Sequence, residues 1–438
     1  MKQEIRERIE KIGKGEVPEG YKETKVGIIP GDWDVVSINK VLKPVKKAVN
    51  VEPTIEYKEI GIRSHGKGIF HKKLVQGNKL GNKRVFWVEE KCFVVNIVFA
   101  WEQAVAITSE DEIGFIASHR FPMYKPKNDS IDLGYLLAFY KSPRGKFQLN
   151  LASPGGAGRN KTLGQEEFAQ SLIPQPPIDE QQKITEILST WNKAIELIEK
   201  LIEEKKEFKR GLIQKLLTGE IRFPEFTDDW NEIPLNQIFN FEGGFTASRN
   251  DLGNKGIAYL HYGDIHKSNK NFIDVKKELT NIPKIDLDID KVPTKNLLKD
   301  GYIVFADASE DYEGIGKSIT IFNPEEIPFI NGLHTIVGIP KNGTLNKNYS
   351  RFFLLEKSIR KQMMFYAQGI SVFGISQAYL KLIVAHLPFE PEQEKIAEIL
   401  STWEKAIELK EKELNQLKEQ KRGLFQLLLT GIVRVEVD

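Results

Sequence analysis

Mostly apolar positions, with a few lysines among them, are separated by alternating steps of three and four in two stretches of the chain. Leu188, Trp191, Ile195, Ile198, Ile202, Lys205, Lys209, Leu212 and Leu216 mark the first; Leu400, Trp403, Ile407, Lys410, Leu414, Leu417, Lys421, Leu424 and Leu428 mark the second. That alternation is the seam of a coiled coil and predicts a long helix at each place. Asp179 and Pro391 stand where a helix start favours an anion or a proline, and Gly219 and Gly431 follow Thr218 and Thr430 where a stop is expected. At a rise of about 1.5 Å per residue, the run from Glu180 to Thr218 makes a rod of roughly 58 Å, longer than one small domain can enclose.

The two stretches are copies. The segment from Glu180 to Arg222 recurs from Glu392 to Arg434 at an offset of 212 with no gap, and 29 of its 43 positions are identical. So long a period is no solenoid; it is a duplicated half-protein, a variable block followed by a near-constant block, twice. Two near-identical seams solve their burial most simply by packing on each other antiparallel, with pseudo-two-fold symmetry. The constancy also reaches positions that a seam does not use. Glu186, Ser189, Thr190, Lys193, Glu196, Glu199 and Lys200 recur at Glu398, Ser401, Thr402, Lys405, Glu408, Glu411 and Lys412. A partner chain on each helix accounts for this, as would a recent duplication.

The variable blocks agree only in outline. Asp32, Trp33 and Asn39 match Asp229, Trp230 and Asn236 at the start of each. Short apolar runs such as KCFVVNIVFAWEQAVAIT and GYIVFADAS follow, separated by Gly, Pro, Asn and Asp, and a helical stretch precedes each exit. Each block therefore reads as α+β, with a curved, mostly short-stranded sheet and helices. The expected division is 1–176, including a short helix over 1–14, then the helix 177–222, a second block 223–388, and the second helix with its tail 389–438.

With 438 residues the chain has room for two to four domains. It is 40% hydrophobic and 28% charged, a globular composition, and it shows neither a membrane-length apolar run nor a secretory leader, so a cytoplasmic location is expected. Its one cysteine, Cys92, excludes a disulfide framework and reads as a small buried hydrophobe. The net charge of +2 conceals an uneven distribution: +7 over 1–176, 0 over 177–222, −2 over 223–388 and −3 over 389–438. A basic first third points to a polyanion there.

Two similar domains with divergent surfaces and rigid spacing suit the two halves of a split DNA site, about one helical turn or somewhat more apart. In the first block the candidate DNA contacts sit in glycine-rich turns: Arg63, Ser64, His65, Lys67, Lys72, Lys73, Asn82, Lys83 and Arg84, then His119, Arg120, Arg159, Asn160 and Lys161. Glycine neighbours let such side chains approach phosphates and base edges closely. In the second block the candidates are thinner: Arg249, His261, Tyr262, His266, Lys267, Asn269, Lys270, Lys317 and His334. A basic loop by itself is more often plain solvated surface. Leu188, Trp191, Ile195, Ile198, Leu212, Leu400, Trp403, Ile407, Leu414 and Leu424 are the candidate spacer and docking positions.

Catalytic motifs fail on inspection. GGAGRNKT, from Gly155 to Thr162, places Asn160 where a phosphate-cradling loop needs glycine, and GIGKS, from Gly314 to Ser318, has Asp311 at its first glycine position. QPPI, from Gln175 to Ile178, lacks both ends of an amino-methyltransferase signature and serves better as an extended entry to a helix. The seven histidines have no metal-ligand spacing. The chain is expected to be no enzyme and to bind no metal or cofactor.

The order of variable block, helix with EQxKIxEILSTWxKAIE and KRGLxQxLLTG, variable block and the same helix again resembles the DNA specificity subunit of type I restriction-modification systems over essentially the whole chain. The resemblance implies two target-recognition domains, each reading one half of a bipartite asymmetric DNA site, joined by antiparallel conserved helices. It implies docking of two methyltransferase subunits on 180–219 and 392–431. Those partners use S-adenosylmethionine; the full complex adds restriction/translocase subunits that use ATP and Mg. A methylation-only system is an alternative within the class. A coiled-coil assembly scaffold with protein-binding end domains is the alternative outside it.

Overall fold

The computed structural model describes residues 3–81, 83–155, 161–247, 249–341 and 343–436. They divide into two compact units, one running to Glu199 and resuming at Glu413, the other spanning Lys200–Lys412. This division cuts both long helices, Ile178–Leu217 and Glu390–Leu429, so each unit owns part of each and neither helix is a module by itself.

The seam positions face inward as their spacing predicts. Leu188, Ile202, Leu216, Leu400, Ile407 and Leu428 are buried and the rest half-buried. In the second unit the helices run antiparallel: Lys209 Nζ lies 2.7 Å from Glu404 and Lys206 Nζ 2.8 Å from Glu411. Trp403 packs against Phe208 with ring centroids 4.8 Å apart, and the Lys205 ammonium lies 5.1 Å over the Trp403 ring. In the first unit Lys418 Nζ lies 2.6 Å from Glu199, and Lys421 meets Asn192. Long lysine stems thus cover the seam while their charged ends pair at its rim. Exposed pairs of this kind add little stability, about 0–1 kcal/mol each, and burial of the seam carries the association.

The two recognition blocks share a topology that their sequences hide. In the first unit the strands Val105–Ile107, Phe93–Val95, Met123–Pro126 and Leu42–Val45 form an antiparallel sheet in that order. In the second, Ser318–Phe322, Ile303–Ala306, Thr335–Pro340 and Phe239–Gly243 repeat the order, with Phe272–Asp274 added in parallel at the edge. Beside each sheet lies one parallel pair: Glu56–Ile62 with Phe115–Ser118, and Ile257–Leu260 with Phe329–Asn331. A ribbon of an early strand and the last strand of the block closes each unit, Asp34–Ser37 with Leu172–Gln175 and Asn231–Pro234 with Val384–Leu387. The chain then leaves Gln175 through Pro176 and Pro177 straight into the helix at Ile178, the extended entry expected of QPPI.

Each unit is fastened to its helix start by one repeated clasp. Glu180, 2% exposed, accepts a 2.9 Å hydrogen bond from Trp33 Nε1 and two 2.8 Å bonds from the Arg434 guanidinium, which also grips Asp32. Glu392, also 2% exposed, accepts from Trp230 Nε1 and, at 3.0 and 2.8 Å, from Arg222. The neighbouring Gln181 and Gln393 are buried too, each donating to the carbonyl five residues earlier, of Pro176 and Pro388. A buried carboxylate survives only when paired and hydrogen-bonded, so the constant Glu-Gln pair at each helix start has a structural reason. The N-terminal helix Gln3–Gly13 belongs to the first unit, where Arg8 donates to the Ile432 carbonyl and Tyr21 Oη to that of Gly431.

Candidate nucleic-acid interface

Strand order brings the candidate residues together at one end of each unit. In the first, Arg63, Ser64 and His65 follow one strand of the parallel pair, while His119, Arg120 and Phe121 link its partner to the antiparallel sheet. Asn96 follows the sheet's central strand Phe93–Val95. A cavity of about 450 Å³ opens among them, lined by Arg63, Ser64, His65, Lys67, Phe70, Lys72, Asn96, Phe99 and Phe121. The Arg63 guanidinium lies 5.0 Å over Phe70 and the Lys72 ammonium 5.7 Å over Phe121, so cations and aromatic faces alternate around the opening. His65 has φ 60°, a left-handed value held by bonds from the backbone N–H groups of His65 and Gly66 to the carbonyls of Glu102 and Gln103. Ser64 Oγ donates to Glu102, which fixes the turn and leaves Arg63, His65 and Lys67 exposed.

The second unit repeats the arrangement. His261 and Tyr262 follow Ile257–Leu260, Gly332–His334 links Phe329–Asn331 to Thr335–Pro340, and Asp307 follows Ile303–Ala306. The Tyr262 ring meets His334 and His266 with centroids 5.4 and 6.0 Å away, and Asp307 Oδ1 lies 3.3 Å from His334 Nδ1. One backbone bridge recurs in both units: Asp307 N–H donates to the His334 carbonyl at 3.1 Å, and Ile97 N–H to that of Arg120 at 3.0 Å.

Other candidates have different surroundings. His261 is buried, and its Nδ1 accepts from the Gly263 N–H as a cap on the helix Tyr262–Lys267. Lys317 is half-buried and donates to the carbonyls of His266 and Ser268 at 2.9 and 2.7 Å; burial first and Arg360 second lower its ammonium below the usual range. Lys270 lies 3.1 Å from Glu278, while Lys267 and Asn269 are exposed beside it. Lys161 donates to Asn150 and lies 5.9 Å over Trp101. Lys73, Lys83 and Arg84 are exposed, with the His119 N–H bonded to the Arg84 carbonyl. Arg249 opens the short turn Arg249–Asp251; Asn82, Arg159 and Asn160 lie outside the described residues. Burial pushes the Cys92 thiol up to about 11, consistent with an inert side chain.

Two groups at these sites carry little signal in the sequence. The Phe70 and Phe121 faces carried no charge signal, and Asp307 was hidden within GYIVFADAS, where a lone carboxylate ending an apolar run was the available clue. On the helices, Glu186, Ser189, Thr190, Lys193, Glu196, Glu199 and Lys200 are all exposed, and of their copies only Ser401 and Glu411 are half-buried. The constant positions outside the seam therefore face outward.

The family model for the type I restriction modification DNA specificity domain matches this chain twice, over residues 30–206 and 227–419. The type I restriction enzyme MjaVIII specificity subunit of Methanocaldococcus jannaschii is 27% identical over 441 residues, which cover 95% of this chain and 97% of that one. The putative type I restriction enzyme MjaX specificity subunit of the same organism is 23% identical over 450 residues, with the same coverage. The HsdS subunit from Thermoanaerobacter tengcongensis shares the fold with a TM-score of 0.55 at 15% identity, over 92% of this chain and 98% of that one. A chain from a structure on complex assembly and conformational transition of the type I R-M system does so with a TM-score of 0.58 at 15% identity, over 92% and 99%. Two matched segments, holding well over half the residues and each spanning most of a recognition block with much of the long helix that follows it, establish that the chain belongs to the type I restriction-modification DNA specificity family.

Proposed function

We propose that the chain is the non-catalytic specificity subunit of a type I restriction-modification complex, in which each recognition block reads one half of a bipartite asymmetric DNA target. The observation that carries this reading is the repeated convergence of strand ends. Two blocks of one topology present different side chains at the same place, an Arg–His–Lys turn beside aromatic faces in one and a Tyr–His–Asp group in the other. Common topology with unlike lining suits two different sequences.

The outward constant positions of the two long helices support docking of two methyltransferase subunits, and restriction subunits would join through them. On this reading S-adenosylmethionine, ATP and Mg belong to the partners. Gel-shift titration of the chain with its methyltransferase partner, on duplexes whose half-site spacing is varied a base pair at a time, tests the reading. Binding should peak at one spacing and fall when either half-site is scrambled. Indifference to both sequence and spacing would favour a coiled-coil scaffold with protein-binding ends instead.

A further inference from the structure

Asp307 is out of place on a surface that meets a polyanion. Its carboxylate lies at the centre of the second unit's convergence, 29% exposed and facing the His334 ring nitrogen at 3.3 Å. Burial pushes this carboxyl above its usual range, with His334 acting the other way. Lys317, the nearby ammonium, is turned inward to the backbone carbonyls of His266 and Ser268. A carboxylate placed so repels phosphate and only accepts hydrogen bonds, so a phosphate-gripping role is excluded by its charge.

The backbone around it is costly as well. His334 has φ 58°, a left-handed conformation that a non-glycine residue adopts at a cost of roughly 1–3 kcal/mol. The bond from Asp307 N–H to the His334 carbonyl and the Nδ1–carboxylate contact together hold that strained turn against the strand end. The β-bridge of Ala308–Ser309 with Phe373–Gly374, and the bond from Ile375 N–H to the Asp307 carbonyl, fix the carboxylate from the other side. An accepting group held rigidly at the mouth of a reading surface fits one feature of DNA, the exocyclic amino group in the major groove, cytosine N4 or adenine N6. Phosphates, thymine O4 and guanine O6 offer it no proton.

We propose that Asp307, oriented by His334, is a specificity-determining residue that accepts a hydrogen bond from an exocyclic base amino group in the half-site of the second unit. This rests on the DNA-reading function proposed above. The corresponding bridge in the first unit has the uncharged Ile97 in this place, so the two units differ here as two unlike half-sites require.

The test is a cycle between base and side chain on the full chain with its methyltransferase partner. After the target is selected from a random duplex library, the preferred base of each pair in the second half-site is replaced by an analogue lacking its amino group: purine in place of adenine, 2-pyrimidinone in place of cytosine. One such replacement should weaken binding by the unaltered protein on the order of ten-fold and that by Asp307→Leu, which has about the same size and no acceptor, much less. The analogue that responds identifies the base. Asp307→Ala serves as a second variant and should give the same loss of coupling, with the first half-site's preference intact in both as the sign of a folded protein. If either folded variant feels every replacement as strongly as the unaltered protein does, the inference is overturned and the DNA-reading function stands. If the unaltered protein binds all duplexes alike, that function fails and the inference with it.

Discussion

At the residue scale the repeated clasp shows what the constant positions do. Glu180 and Glu392 each sit at a helix start, buried, between a tryptophan indole and an arginine. Arg434 also pairs with Asp32 and holds the Asp32 carboxyl below its usual range. That pairing contributes stability above the ordinary carboxylate range, and the contribution is lost as pH falls through the lowered value. Trp33→Phe removes the indole N–H and part of a fully buried bicyclic ring, so in urea denaturation it should cost at least the roughly 1.5–3 kcal/mol of a hydrogen bond to a charged acceptor, with a cavity cost added. A change under about 0.5 kcal/mol, within the range of ordinary surface substitutions, would mean that the bond is idle. The sequence repeats Glu180, Trp33 and Arg222 as Glu392, Trp230 and Arg434, but does not show that these residues pair. Trp33 stands 147 residues before Glu180 and Arg434 stands 254 after it, a separation that no local pattern reports. His261, a candidate DNA contact by sequence, also caps a helix, because its ring turns back to accept from the Gly263 N–H, a rotamer that the sequence does not report.

At the scale of elements the long helices were the most legible part, because a seam repeated over some ten turns leaves no other period. The strands were not. Most run for two to five residues, too short for alternation to show, and the parallel pair joining Lys58 to Phe115 closes a distant loop. The helix stops were legible as Gly219 and Gly431, and both have left-handed φ, 71° and 67°. Their surroundings differ. A Cβ on Gly219 would have its nearest neighbour at 3.6 Å on Trp230, whereas one on Gly431 would meet Pro30 Cγ at 2.4 Å. Gly219→Ala should therefore cost only the backbone term, about 1–2 kcal/mol, and Gly431→Ala distinctly more, because the proline ring must move. Thermal denaturation of the two variants side by side checks this; equal losses would mean that the tail after Gly431 does not pack on Pro30.

At the scale of the whole molecule the duplicated sequence gives each unit its recognition block and parts of two helices, one arriving from each end of the constant repeat. That sharing was invisible in linear blocks, which end where the helices begin. On the proposed function the chain contributes recognition at two places on one duplex and leaves chemistry to its partners. Selection of bound duplexes from a fully randomised library by the assembled complex tests that claim most directly. The account predicts two separated blocks of base preference with an indifferent stretch of constant length between them. One contiguous block, or no preference at all, would contradict it.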